Sequence, residues 1–244
     1  MTEARFPYGA RHHVDNVPDT PALIADSVSV SYPGDANPAI SRISLSVPTG
    51  TRLALVGPNG SGKSTFLKAC AGLLPLREGT IRVYGNRVGL CHHRVAYVDQ
   101  RNEIEWRFPI RVRELVMGGR YVHLGWFGRP GQNDQTIVDK ALEILEIRNL
   151  ENRQIGELSG GQRQKTLLAR AFVQEADLLL LDEPLNALDK ESRDVFSKFM
   201  AQLKPLGKTA IVATHYYEEG TDEFDDVFYL NADACSTHHH KHKS

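Results

Sequence analysis

The chain of 244 residues is short of cysteine, of net charge and of long apolar runs, and each shortage removes a class of protein. Its three cysteines, Cys70, Cys91 and Cys235, are an odd, scattered set with no C-x-x-C pair. That argues against a disulfide framework and fits a reducing compartment. The formal charge is −1, so no global field draws nucleic acid, and no nucleic-acid partner is expected. No apolar run approaches the roughly 20 residues that span a bilayer. The opening stretch MTEARFPYGARHH also lacks the apolar core of a secretory signal, so any membrane role is expected to come through a partner. What remains is an ordinary globular composition, long enough for one large domain or a core with a subdomain.

Alternation and apolar runs outline the elements. Residues 1–20 are polar with Pro7, Gly9 and Pro18, and read as a loose leader. ALIADSVSVSY (22–32) and ISRISLSV (40–47) alternate and predict strands separated by the turn chemistry of PGDANPA. RLALV (52–56) is more continuously apolar, as expected for a strand buried on both faces. GTIRVYG and RVAYVD predict two more strands. After Gln100 the pattern turns helical: VRELVMGG, then 134–147 with Ile137, Val138, Ala141, Leu142 and Leu145 on one stripe. DLLLLD and TAIVAT return to strand chemistry, with a crossover helix in KESRDVFSKFMAQLK between them. Strands alternating with helices imply a mainly parallel α/β sheet covered on both sides. The tail CSTHHHKHKS suits divalent-metal binding by composition, but a solvated appendage is the favoured reading.

Three motifs carry chemistry. GPNGSGKST places Gly57, Pro58, Asn59, Gly60, Ser61, Gly62, Lys63, Ser64 and Thr65 between a strand and a helix. The glycines let backbone N–H groups face one concavity, and the helix start adds its positive end. Lys63 is placed to reach β- and γ-phosphate oxygens, and Ser64 to ligate Mg²⁺, so a nucleoside triphosphate is expected. In LLLLDEP, four leucines deliver Asp182 to the end of a buried strand, where open α/β sheets bind ligands. Asp182 is expected to hold Mg²⁺ opposite Ser64, and Glu183 to polarise a water for attack on the γ-phosphate. In LSGGQRQ, Ser159 is a good N-cap followed by Gly160, Gly161 and Gln162, which makes a second anion site at a helix start. Two anion sites for one nucleotide are reconciled if two copies pair head to tail, each offering this helix to the other's ATP.

With these motifs in place, nearly the whole chain resembles the ATP-binding-cassette family. The resemblance identifies GPNGSGKS as Walker A, LSGGQ as the signature and LLLLDE as Walker B. It implies a P-loop NTPase core, an N-terminal antiparallel β subdomain and a helical insert. The expected boundaries are an ATPase domain over 21–230, the insert over about 101–174, and a tail over 231–244. It also implies that Gln100 contacts the metal and senses a transmembrane partner. By the same resemblance Asp189, closing NALD, is expected to cross the dimer interface, His215 to touch the γ-phosphate, and Tyr32 to stack on adenine. One departure is Asp99, where relatives commonly carry proline before the glutamine.

The stretch RNEIEWRFPIRVRELVMGGRYVHLGWFGRP looks like the branch of bacterial importers that move manganese, zinc or iron. Trp106, Phe108 and Pro109 beside Gln100 either line a groove for a short helix of a membrane subunit or pack the insert's own core, and both can hold. The resemblance implies ATP hydrolysis at the cytoplasmic face of a membrane, with permease subunits as direct partners and an extracytoplasmic metal-binding protein as an indirect one. The alternatives are an ATPase subunit for another substrate or a non-transport ATPase. The latter class usually carries long coiled coils or zinc modules where this chain has a compact insert.

Overall fold

Two kinds of strand follow from the two apolar patterns. β1 (Leu23–Val30) and β2 (Ile40–Val47) pair antiparallel. In β2 exposed polar residues alternate with buried Ile43, Leu45 and Val47, so only one face meets the core. β3 (Arg52–Val56) is instead apolar from Leu53 to Val56, and Leu53, Ala54 and Leu55 are all buried. α1 (Lys63–Cys70) follows it, then the hairpin of β4 (Glu78–Val83) and β5 (Asn86–Arg87), which completes a sheet ordered β2-β1-β4-β5. The chain continues through β6 (Val95–Val98), α2 (Val112–Met117), α3 (Tyr121–Leu124), α4 (Gln132–Ile144) and α5 (Gly160–Val173). It closes with β7 (Leu178–Asp182), α6 (Lys190–Leu203), β8 (Thr209–Thr214), β9 (Asp226–Tyr229) and β10 (His239–His240). This computed structural model describes residues 17–32, 34–35, 37–89, 92–99, 104–124, 128–185, 189–215, 223–231 and 239–240.

The second sheet is ordered β10-β9-β3-β8-β7-β6, and every pair from β9 to β6 is parallel. Strict alternation sends Leu178 and Leu180 of β7 to one face, and Leu179 and Leu181 to the other. The first face packs on α1 through Phe66 and Leu67 and on the antiparallel sheet through Val28 and Leu45. The second packs on α5 and α6 through Leu168, Phe196 and Phe199. It runs without a break into the helical insert, where Val116, Val138 and Leu142 are fully buried.

Ion pairs brace the insert and the sheet edge. Arg120, 5% exposed, donates to Asp134 of α4 at 2.8 Å and to the Val173 carbonyl at the end of α5 at 2.8 Å. A buried guanidinium is tolerable only when its donors are taken up in this way. Arg52 donates from its backbone and from both sides of its fork to Asp225, at 3.0, 2.9 and 3.0 Å. Burial opposes the Asp225 charge, but the Arg52 bonds outweigh it and hold the carboxyl well below the usual carboxylate range.

Both ends depart from the sequence reading where they are described. Residues 17–20 of the expected loose leader are docked: Val17 donates its N–H to the Tyr84 carbonyl at 3.2 Å. In the tail expected to be solvated, His239 and His240 pair antiparallel with Phe228 and Val227. The reason is that β9 otherwise ends the sheet with an unpaired row of N–H and C=O groups. β9 itself was not anticipated. The remaining leader residues, 1–16, and tail residues 232–238 and 241–244 lie outside the described residues.

Candidate functional site

Parallel pairing brings the carboxyl ends of four strands to one edge. Val56 is level with Thr214, Asp182 with Ala213, and Val98 with Leu181. The residues that follow, Gly57, Glu183, Asp99 and His215, therefore emerge together, at the edge where open α/β sheets take ligands. Gln100, next in line, and Asn186 of NALD lie outside the described residues.

The 57–65 loop is shaped by its glycines. A Cβ on Gly57 would sit 2.2 Å from the Leu230 carbonyl oxygen, so the chain after β9 leaves room only for hydrogen there. Gly60 and Gly62 have φ of 82° and 94°, the left-handed region that other residues enter at a cost. Alternating conformations of this kind turn successive N–H groups inwards. Lys63, 4% exposed, donates to the Gly57 and Pro58 carbonyls at 2.8 and 3.0 Å, and its Nζ lies 3.7 Å from Glu183 Oε1. Ser61 Oγ is buried without a hydrogen-bond partner among the described residues, while Pro58 and Asn59 are exposed. Tyr32, 38% exposed, has its hydroxyl 3.2 Å from Thr65 Oγ1, which stations the ring at the mouth of the loop.

Across from Lys63 stand the acids. Asp182 is 2% exposed. One of its oxygens accepts from the Tyr97 hydroxyl at 3.4 Å, and the other, Oδ1, is buried with no partner among the described residues. Burial raises its pKa, the charges of Asp99 and Glu183 raise it further, and the nearby Ser64 and Tyr97 hydroxyls pull the other way. A carboxylate with a spare buried acceptor beside a serine hydroxyl suits a hard divalent cation. Among the described residues no group of three or more His, Cys, Asp or Glu side chains is gathered to hold a metal alone. A single carboxylate beside a serine hydroxyl suits Mg²⁺, which binds through one or two protein oxygens plus substrate phosphates. Glu183 has φ of 48° and donates its N–H to the Ala213 carbonyl at 3.0 Å, so a strained left-handed residue turns its carboxylate towards Lys63. His215 follows β8 directly and is exposed.

The second anion site is built differently. Ser159 caps α5: its Oγ accepts from the Gln162 N–H at 3.3 Å, and the Gln162 side chain accepts from the Ser159 N–H at 3.0 Å. This reciprocal box leaves Ser159 and Gly160 exposed and Gly161 half-buried. Among the described residues, none of its hydrogen bonds reaches the 57–65 loop. Asp189 likewise caps α6, accepting from the Ser192 N–H at 2.8 Å, and that bond holds its carboxyl below the usual range. Beside the site, the two readings of the Trp106 segment divide between residues. Trp106 packs on the insert core with the Arg163 guanidinium 4.8 Å from its ring centroid, whereas Phe108, 60% exposed, and Pro109 face outwards.

Tyr97 was missed as a site residue, as was the pairing of Asp99 with Lys68 of α1 at 3.2 Å. Strand alternation put Tyr97 and Asp99 on one face of β6, but nothing local showed that this face adjoins Asp182.

Comparison with known proteins bears on the same residues. A family model described as ABC transporter matches residues 40–186. The manganese transport system ATP-binding protein of Halalkalibacterium halodurans is 39% identical over 211 residues, covering 86% of this chain and 83% of that protein. The zinc transport system ATP-binding protein of Treponema pallidum is 40% identical, covering 86% and 78% respectively. Among solved structures, a bacterial ABC transporter cassette determined as a dimer superposes with a TM-score of 0.78 at 21% identity, over 91% of this chain and 99% of that one.

Proposed function

This chain belongs to the ABC transporter family, and we propose that it is the ATP-hydrolysing subunit powering import of a divalent metal ion, manganese, zinc or iron, through a membrane permease. The observation that carries the enzymatic part is the meeting of Lys63, Asp182 and Glu183 at one sheet edge, with Lys63 Nζ 3.7 Å from Glu183. The metal cargo is supported by relatives named for manganese, zinc and chelated iron transport. In the proposed arrangement residues 21–230 form the ATPase domain and about 101–174 its helical insert. The subunit sits peripherally at the cytoplasmic face, held by the permease, and an extracytoplasmic metal-binding protein delivers cargo to the far side.

Placement of the described residues supports some of the following roles, and the family resemblance supports those of Gln100, Tyr32 and His215. Backbone N–H groups from Asn59 to Thr65 cradle the β- and γ-phosphates, with Lys63 adding positive charge. Tyr32 stacks on adenine at the loop mouth. Ser64, Asp182 and Gln100 hold Mg²⁺, which supplies charge neutralisation at the phosphates. Glu183 accepts the proton of the attacking water, and His215 contacts the γ-phosphate. A second copy, head to tail, offers Ser159, Gly160, Gly161, Gln162 and Asp189 to complete the site. Closure of the pair excludes water and strengthens these electrostatics.

The test is uptake of radiolabelled Mn²⁺, Zn²⁺ and Fe²⁺ into vesicles bearing the permease with this chain or its Glu183→Gln variant. ATP-dependent uptake of one of these ions with the native chain alone is the expected result. Cargo-independent ATPase activity without uptake of any of them would leave the enzyme standing and remove the metal-import reading.

A further inference from the structure

We infer that Tyr97 is a positioning residue for Asp182: its hydroxyl engages one carboxylate oxygen so that the other stays aimed at the cation accompanying the nucleotide. This rests on the reading of Asp182 as a metal ligand. β6 and β7 are parallel with Tyr97 level with Leu180, which puts the ring on the face of β7 that also carries Asp182. The phenol reaches Asp182 Oδ2 at 3.4 Å, while Oδ1 is buried with no partner among the described residues. A neutral donor suits this place. It fixes the plane of the carboxylate without competing for its charge, as a lysine there would. Lys68 does engage the next side chain on that face, Asp99, at 3.2 Å. Lys68 and Tyr97 thus attend different carboxylates on adjoining strands.

Partners that orient a metal ligand from behind are worth about 10–100-fold in metal affinity. The Tyr97 contact is longer than the usual O–H···O distance of about 2.7–2.8 Å, so the effect belongs at the low end of that range.

The experiment measures binding of a fluorescent ATP analogue to the full chain, titrated with Mg²⁺ and repeated in EDTA, with Mn²⁺ binding followed by electron paramagnetic resonance. Tyr97→Phe is expected to need about tenfold more Mg²⁺ for the same gain in nucleotide affinity and to bind Mn²⁺ correspondingly less tightly. Its metal-free nucleotide affinity should match the unaltered chain, which a mere packing defect would not preserve. Tyr97→Met, which fills the slot flexibly without a hydroxyl, should behave as Tyr97→Phe does and carries the test if the phenylalanine variant does not fold. Unchanged Mg²⁺ dependence in either variant overturns the inference, as does an equal loss with and without metal. Absence of any Mg²⁺ dependence in the unaltered chain removes the metal site itself, and this inference with it.

Discussion

The two anion-binding segments of this chain are opposites in construction. The 57–65 loop has an exposed tip, Pro58 to Gly60, on a buried and cross-braced base: Lys63 is 4% exposed and tied to two loop carbonyls, Gly57 lies under the Leu230 carbonyl, and Lys63 faces the Glu183 carboxylate. The start of α5 is exposed and satisfied by its own Ser159–Gln162 box, and a Cβ on Gly160 would meet nothing within 4 Å. A segment packed against its own fold is finished within one chain. A glycine-rich helix start left open to solvent stays accessible to a second molecule. The contrast supports assigning the first to the chain's own nucleotide and the second to a partner's.

Three substitution experiments sharpen or break that contrast, from the largest expected effect to the smallest. Glu183→Gln removes the general base while keeping shape, so turnover should fall about 10²–10⁴-fold with ATP binding retained. Near-normal steady-state hydrolysis would remove Glu183 from that role. Next, Lys63→Ala should abolish hydrolysis and weaken ATP binding, whereas Ser159→Arg should abolish hydrolysis and spare ATP binding to the single chain. Mixing the two should restore some activity, because one site of the mixed pair then combines an intact loop with an intact helix start. A mixture as inactive as its components contradicts the contrast. Third, Gly57→Ala must displace Leu230 and should cost about 1–3 kcal/mol in chemical denaturation. Gly160→Ala should stay within about 0.5 kcal/mol while still impairing hydrolysis. Equal costs would mean the two segments are not differently packed.

A fourth prediction lies outside both segments. Asp225 is bonded by Arg52 and has a depressed pKa in the folded chain, so its stabilisation is present above the ordinary carboxylate pKa and lost as pH falls towards the folded value. Asp225→Asn should lower stability near neutrality by about 1–3 kcal/mol. It should also flatten the loss of thermal midpoint between about pH 5 and pH 2. An unchanged acid profile would show that the pair is not linked to folding.

Local chemistry made much of this legible. The apolar runs at 52–56 and 178–182, the glycines between strand and helix, and the Ser159 cap each declare themselves within a few residues, because burial, turn geometry and capping are short-range demands. β9 was not legible: Asp225 and Asp226 lead into a four-residue run with no turn signal to mark it, and its burial depends on lying beside β3. The left-handed backbone at Glu183 is imposed by the Ala213 carbonyl, which belongs to a strand far along the chain. Tyr97 reads as an ordinary strand tyrosine until the β6–β7 register places it against Asp182. The backbone pairing of His239 and His240 with β9 was equally hidden, since composition alone says nothing of an available sheet edge.

The central claim, that one nucleotide is gripped by the loop of one copy and the α5 start of another, is tested most directly by sedimentation of the Glu183→Gln chain. With hydrolysis blocked, saturating MgATP should convert it to a dimer, and MgADP should leave it monomeric. A chain that remains monomeric in MgATP, with nucleotide shown to be bound, would contradict the shared site.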